Sequence, residues 1–223
     1  MDFKRITLFS GHYGSGKTNL AVNYAMLLRK EKENVAIADL DIVNPYFRTK
    51  DSEDELKGVG IRLISSEFAN SNVDLPALPA DAYTMIDDKS MYAVVDVGGD
   101  DRGALALGRY SDAIKAENNF EMLFVINKYR PLTRDVKSTI RVMEEIESAC
   151  RIRFTGVVNN SNLGMETTVE DVLETVEYAE EISKIAEIPV KLTSVRRDIS
   201  GEVQKKLENV WAIDIHFKRE WSI

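Results

Sequence analysis

Apolar and polar positions alternate in blocks along the chain, with short β-branched and aliphatic runs separated by longer segments of helical spacing. The apolar runs predict strands. In order, they are "RITLFS", "NVAIADLD", "GIRLIS", "MYAVVDVGG", "EMLFVINK", "IRFTGVVNN" and "IPVKLTSV". Runs such as "YAVVDV" and "MLFVI" are apolar at nearly every position, which is typical of strands buried on both faces of a parallel sheet.

Segments between these runs predict helices. In "NLAVNYAMLLRKEKE" Leu20, Tyr24, Leu27 and Leu28 fall at helical spacing, and "RDVKSTIRVMEEIESA" is amphipathic. The segment "VEDVLETVEYAEEISKIA" predicts one long acidic helix, whereas the tail "NVWAIDIHF" alternates apolar residues at period two and predicts a strand. Residues 66–89 are the least regular part of the chain and are compatible with a short surface helix.

This alternation of strand, loop and helix predicts an α/β fold: a three-layer, doubly wound, mostly parallel sheet. No internal repeat, low-complexity tract or Pro/Gly-rich linker interrupts the 223 residues. We therefore expect one domain over residues 1–223. In doubly wound sheets ligands bind at the carboxyl ends of the strands, so candidate chemistry is sought there.

Composition narrows the functional classes. The net charge of −8 argues against nucleic acid as a partner, and the closing "KREW" is too short for stable membrane anchoring. The single cysteine, Cys150, excludes a disulfide framework and a self-contained Cys₄ metal site. Because no hydrophobic segment resembles a signal peptide or a membrane span, we expect a cytoplasmic protein.

The segment "SGHYGSGKTN" fits the phosphate-binding P-loop pattern Gly-x-x-x-x-Gly-Lys-Thr and lies between a predicted strand and a predicted helix. A chance match somewhere in such a chain is on the order of one percent. Glycines let backbone N–H groups converge on phosphate oxygens, Lys17 reaches the β- and γ-phosphates, and the Thr18 hydroxyl is suited to Mg²⁺. The expected nucleotide-binding residues are Gly11, His12, Tyr13, Gly14, Ser15, Gly16, Lys17, Thr18 and Asn19.

Three acids close other predicted strands. Asp96 ends "YAVVD" and precedes two glycines, the arrangement of a Walker B acid that supports Mg²⁺. Asp39 and Asp41 end the second strand two positions apart and so share one face, where one can support the metal and the other can position water. The alternatives are a turn acid at Asp96 and an exposed acidic loop start at the pair.

With "GHYGSGKT", "DLDIVNP" and "VVDVGG" in this order, the chain resembles the CobQ/CobB/MinD/ParA group of P-loop nucleotide-binding proteins over most of its length, from Ile6 to about Val195. The resemblance implies a Mg²⁺·ATP site completed by a nucleotide-sandwich homodimer. It also implies that Asp41 positions water in switch I, that Asp39 and Asp96 support the metal, and that Gly98 and Gly99 belong to switch II.

Two later segments concern which nucleotide base the protein recognises. "NKYR" carries Arg130 where a guanine-reading Asn-Lys-x-Asp motif would have its acid, which argues against GTP. In "GVVNNSNLG" the resemblance makes Asn159 or Asn160 the adenine-reading residue, with Asn160 slightly favoured. The same Asn-Asn-Ser-Asn run is also strong turn chemistry.

The P-loop departs from the family pattern at one position. His12 stands where many members keep a signature lysine that reaches the partner subunit's phosphates. A neutral histidine supplies no fixed charge. His12 either bonds within its own loop or contacts phosphate. Either hydrolysis is slow and nucleotide binding is the function, or another cation takes over the lysine's role. The candidates are Arg102, Arg109, Lys128 and Arg130.

The resulting functional hypothesis is a Mg²⁺-dependent ATPase that acts as a nucleotide-dependent switch, binds ATP and ADP, and meets a protein partner that the sequence does not identify. The alternatives are a P-loop small-molecule kinase or synthetase, and a non-hydrolysing ATP-gated scaffold. The sequence lacks an arginine-rich lid, which disfavours the kinase.

Overall fold

The structure, a computed structural model, describes residues 3–40, 52–65, 83–99 and 101–216, and for residues 101 and 102 it describes only the backbone. No helix in these ranges is long and apolar enough to span a bilayer.

Eight strands form one sheet in the order β3-β2-β4-β1-β5-β6-β7-β8. Their bounds are β1 Ile6–Ser10, β2 Val35–Leu40, β3 Arg62–Ser65, β4 Tyr92–Val97, β5 Phe120–Ile126, β6 Gly156–Asn159, β7 Val190–Arg196 and β8 Val210–Ile213. Every pairing between described strands is parallel. Since β1, β2 and β6 are buried at every residue, the interpretation of the apolar runs as doubly covered parallel strands is confirmed.

Helices cover both faces of the sheet. Their bounds in the described chain are α1 Lys17–Arg29, α2 Glu53–Gly58, α3 Thr84–Asp87, α4 Asp101–Gly108, α5 Ser111–Glu117, α6 Val136–Cys150, α7 Val169–Leu173, α8 Val176–Ala186 and α9 Arg197–Val203. The short helices α4, α5 and α9 were not predicted, because segments of seven or eight residues carry too little periodicity to stand out.

The long acidic helix expected after β6 is two helices, α7 and α8, and the prediction of one helix was wrong. The break lies at Thr175, which is fully buried. Its hydroxyl donates to the Val172 carbonyl at 2.7 Å and accepts from Asn159 Nδ2 at 3.0 Å. A threonine that bonds to nearby backbone offers the chain an alternative to the helical ladder, so the helix restarts at Val176.

The two faces of the sheet belong to different cores. Ile37 and Val94 pack against α1 on one face, whereas Ala38 and Val95 join the core that contains α6 on the other. The helix after β1 and the helix after β5 therefore lie on opposite faces, and β1 and β5 are neighbours. This is the topological switch point of a doubly wound sheet, where a crevice opens at the carboxyl ends of the strands.

Candidate functional site

The glycine loop between β1 and α1 lies at this switch point, closely packed between neighbouring strands. A Cβ on Gly11 would lie 2.3 Å from the Val125 carbonyl oxygen of β5. A Cβ on Gly99, just beyond β4, would lie 2.0 Å from the Gly11 carbonyl oxygen. Neither position has room for a side chain, so the backbone itself forms this part of the site.

The loop leaves the N-terminus of α1 without a side-chain cap. Gly16, the N-cap residue, has φ +87° and carries no side chain that could cap the helix. Uncapped N–H groups at the start of a helix carry a partial positive charge and can bind an anion.

Lys17 and Thr18 begin α1 and are almost completely buried, with 3% and 6% of their surfaces exposed. They line a cleft of about 290 Å³, which we call the cleft throughout, together with residues from the carboxyl ends of β6, β7 and β8. A buried lysine is rarely left without anionic or polar company. The structure places this lysine side chain beside the glycine loop.

Asp39 and Asp96 come together across β2 and β4. The two residues are register partners, and both lie on the face that carries α1, because they follow Ile37 and Val94 at a spacing of two. Asp96 is fully buried and Asp39 is 7% exposed. The role of this pair in supporting a metal stays a prediction. Asp41 lies outside the described residues.

Asn159 and Asn160, the two candidates for reading the base, point to different places. Asn160 Nδ2 donates to the Ser15 carbonyl oxygen at 2.6 Å, and Asn160 Oδ1 accepts from the Ser194 hydroxyl at 2.6 Å. Asn159 is fully buried and bonds to Thr175. Asn160 lines the cleft. Its side chain also connects the glycine loop to β6 and β7 and so stabilises the position of the loop. Its reading of a base stays a prediction.

His12 and the four candidate cations are placed as follows. The His12 Nδ1 atom lies 3.0 Å from the Tyr13 carbonyl oxygen. Arg130 Nε donates to the Gly14 carbonyl oxygen at 2.8 Å. Lys128 Nζ donates to the Glu174 carbonyl oxygen at 3.4 Å. Arg109 is exposed, and the side chain of Arg102 lies outside the described residues. Of the candidates whose side chains are described, only Arg130 contacts the glycine loop.

The far wall of the cleft was missed from sequence. Ser194, Val195 and Arg196 at the end of β7 line it, with Ile213 and Ile215 at and beyond the end of β8. The signal was available, since "TSVRR" places polar residues at a strand end, where a parallel sheet binds its ligands. Among the described residues, no aspartate or glutamate lines the cleft.

Asn19, expected at the nucleotide, lines the cleft and also bonds to a segment that we call the C-terminal strap, residues 214–216. Its contact with a nucleotide stays a prediction. Asn19 Nδ2 donates to the Asp214 carbonyl oxygen at 2.9 Å, and Asn19 Oδ1 accepts from the His216 N–H at 3.1 Å. Asn23, one turn further along α1, donates to the same Asp214 carbonyl oxygen at 2.9 Å. The strap thus fixes the first turns of α1 beside Lys17 and Thr18.

The sequence matches one known family of nucleotide-binding domains. Residues 6–202 match the CobQ/CobB/MinD/ParA nucleotide binding domain. The chain belongs to this family. As a family member with this sheet and loop, it has the α/β fold of P-loop NTPases, as the sequence indicated. A search of curated protein sequences finds no match.

Solved structures share the fold at low sequence identity. FtsY from Mycoplasma mycoides is 18% identical with a TM-score of 0.55, covering 87% of this chain and 63% of that protein. The cell division protein FtsY from Thermotoga maritima is 19% identical with a TM-score of 0.56, covering 85% and 61%. Chloroplast FtsY from Physcomitrella patens is 18% identical with a TM-score of 0.54, covering 84% and 57%. This chain therefore spans about three fifths of the length of these FtsY proteins.

Proposed function

We propose that the chain is a Mg²⁺-dependent ATPase that switches conformation with its bound nucleotide. The observation that carries this proposal is the glycine loop at the switch point, with an uncapped α1 N-terminus and Lys17 at one cleft. Backbone N–H groups, a lysine and a helix N-terminus together match the charge and spacing of a triphosphate.

Each residue has a role in this proposal. The loop from Gly11 to Asn19 cradles the phosphates, and Lys17 contacts the β- and γ-phosphates. The oxygen donors of Thr18, Asp39 and Asp96 fit Mg²⁺, which prefers oxygen ligands and retains several waters. When bound, Mg²⁺ neutralises charge that develops on the phosphates. Asp41 is proposed to position the attacking water.

We propose that the base is adenine rather than guanine. A guanine pocket needs a carboxylate that accepts from the ring N–H and the exocyclic amine. The described cleft lining contains none, whereas Glu166, Asp198 and Asp214 line the adjoining pocket. Arg130 stands where such an acid would be and faces the loop. One FtsY structure, from Elizabethkingia anophelis, is a complex with GDP, but at 15% identity it shares only the fold with this chain.

The ATPase proposal is tested by phosphate release from the purified protein with Mg²⁺ and ATP. We expect release that depends on Mg²⁺ and is abolished in Lys17→Ala, because the loop loses its charge at the transferred phosphate. In a competition assay, ATP should displace a fluorescent ATP analogue at lower concentration than GTP. Release equal to that of Lys17→Ala would contradict the ATPase proposal, and preferential displacement by GTP would contradict the choice of base.

A non-hydrolysing, ATP-gated scaffold is the second candidate. His12 replaces the signature lysine, and its Nδ1 faces the Tyr13 carbonyl oxygen within its own loop. Tight ATP binding without phosphate release would favour this candidate.

A further inference from the structure

Arg130 reaches the glycine loop from the segment that follows β5. Its Nε donates to the Gly14 carbonyl oxygen at 2.8 Å. A Cβ on Gly14 would lie 3.5 Å from Nε and 3.8 Å from Cζ of the same guanidinium. The guanidinium therefore lies directly over Gly14, and Arg130 lines the cleft together with Lys17.

The backbone around Arg130 is held by buried polar contacts. The Arg130 N–H donates to the Asn127 carbonyl oxygen at 3.1 Å, and the Arg130 carbonyl accepts from the Thr133 N–H at 3.1 Å. The Thr133 hydroxyl also donates to the Asn127 carbonyl at 2.7 Å. Asn127 and Thr133 are 1% and 0% exposed, so the turn that carries Arg130 is fixed before any ligand binds.

The guanidinium keeps unused donors. Within the described residues, Arg130 Nη1 and Nη2 make no hydrogen bond or ion pair, and the side chain is half-buried. Arg196, the other arginine of the cleft, pairs with Asp198 and donates to the carbonyl oxygens of Gly164 and Met165. The charge of Arg196 is thus already matched by protein, whereas Arg130 presents a permanent charge and open N–H groups.

We propose that Arg130 is the fixed second cation of this site, and that it donates Nη hydrogens to the phosphates of the nucleotide held by the Lys17 loop. This inference rests on the proposed nucleotide-binding function. It assigns to a residue of the same chain the charge that relatives obtain from the signature lysine, whose position His12 occupies. A preorganised guanidinium in a partly dehydrated cleft binds phosphate more strongly than the same group in water.

The test measures dissociation constants by calorimetry for the wild type, Arg130→Gln and Arg130→Lys. Arg134→Gln serves as the matched control, because Arg134 is an exposed arginine of the same segment. The ligands are Mg²⁺·ATP, inorganic tripolyphosphate and adenosine. We expect Arg130→Gln to weaken ATP and tripolyphosphate binding about tenfold or more, with adenosine unchanged. Arg130→Lys should restore part of the loss, and Arg134→Gln should match the wild type.

The outcomes separate the two proposals. If Arg130 only braces Gly14 through Nε, both Arg130 variants will lower the melting temperature and weaken adenosine and ATP equally, which overturns the inference. Unchanged affinities in Arg130→Gln overturn it as well. Failure of the wild type to bind ATP overturns the proposed function, but the tripolyphosphate arm still decides whether Arg130 holds phosphate. A wild type that binds neither anion overturns both.

Discussion

At the scale of single residues, three glycines of the site are required by contact with other elements. A Cβ at Gly11, Gly16 or Gly99 would lie 2.0–2.3 Å from the Val125 carbonyl, Asn160 Nδ2 or the Gly11 carbonyl, respectively. These distances are far below van der Waals contact, so even alanine would displace the neighbouring strand or side chain. The P-loop pattern specifies the first two glycines. Glycine is required at position 99 for another reason, namely that two loops pack closely there.

We expect Gly11→Ala to destabilise the protein by about 1–3 kcal/mol and to abolish high-affinity nucleotide binding, since the added methyl group collides with the backbone of β5. Chemical denaturation and nucleotide titration measure the two effects. Gly201→Ala is the control: Gly201 is an exposed helical residue with nothing within 4 Å of an added Cβ. This control should be neutral or stabilising by up to about 1 kcal/mol. Equal effects of the two variants would argue against the contact.

Asn160 allows a second prediction at this scale. Asn160→Asp replaces the donor that faces the Ser15 carbonyl oxygen with an acceptor. We expect a loss of stability of about 1–3 kcal/mol and weaker binding of every nucleotide, because the glycine loop loses its brace. A changed preference between ATP and GTP at unchanged stability would instead indicate that Asn160 reads the base.

At the scale of elements, the C-terminal strap joins two helices that flank the site. It bonds to Asn19 and Asn23 on α1, and the His216 Nδ1 atom lies 3.0 Å from a carboxylate oxygen of Glu55 on α2. Ile215, in the middle of the strap, lines the cleft. The strap therefore connects α1 and α2 with the wall of the cleft.

Asn23→Ala should lower both stability and nucleotide affinity. The variant removes the donor to the Asp214 carbonyl and the acceptor of the Asp214 N–H, each at 2.9 Å. We expect a loss of about 1–3 kcal/mol in unfolding free energy. Asn34→Ala, which removes an exposed asparagine bonded to Asp88 and Ser90, should cost no more than about 0.5 kcal/mol. A strap without a structural role would leave Asn23→Ala as stable as this control.

Arg5 directly precedes the central strand β1, at the end of the strands opposite to the glycine loop, and links several elements there. It is 3% exposed, and its Nη1 donates to the carbonyl oxygens of Met85 at 2.8 Å, Met91 at 3.0 Å and Asp88 at 3.2 Å. Its other nitrogens pair with Glu117 at the end of α5. The hydrogen bond from Arg5 is the main cause that lowers the pKa of Glu117 below its ordinary range.

A pH dependence follows from this pairing. Because folding lowers the pKa of Glu117, its contribution is fully present above the ordinary glutamate pKa of about 4.3 and is lost as pH falls through the lowered value. Arg5→Met should reduce stability at pH 7 by about 1–3 kcal/mol, because three carbonyl oxygens and the half-buried Glu117 carboxylate lose their shared donor, while Lys89 Nζ still pairs with Glu117 at 2.9 Å. It should also flatten the acid limb of stability against pH, measured by urea denaturation from pH 7 to pH 3. An unchanged acid limb would contradict this assignment.

At the scale of the whole molecule, the two parts of the candidate site lie on either side of β1 in the sheet. The acids Asp39 and Asp96 lie on β2 and β4 to one side, and the cleft wall from β6, β7 and β8 lies to the other. This order places the loop between the proposed metal ligands and the proposed base pocket. A nucleotide bound there would contact both halves of the sheet.

The nucleotide-sandwich homodimer is a prediction that concerns the whole molecule. We expect Asp41→Asn, which should retain nucleotide by slowing hydrolysis, to double its mass in light scattering when Mg²⁺ and ATP are added. The double variant Asp41→Asn, Lys17→Ala should keep the mass of a single chain under the same conditions. If Asp41→Asn stays a single chain with saturating ATP, the chain acts without the family's dimer.

The sequence by itself determined the parallel α/β fold, the phosphate-binding loop and the strand-end acids, because periodicity and motif spacing are properties of short windows of chain. The sequence predicted one helix where the structure has α7 and α8, because a helical pattern does not reveal the buried hydrogen bond from Asn159 to Thr175. Only the tertiary structure decided which neighbours reach the loop and the helix that follows it. Asn160 meets Ser15 across 145 positions, Arg130 meets Gly14 across 116, and Asp214 meets Asn23 across 191. Such contacts depend on strand order and register, which no local pattern of residues encodes.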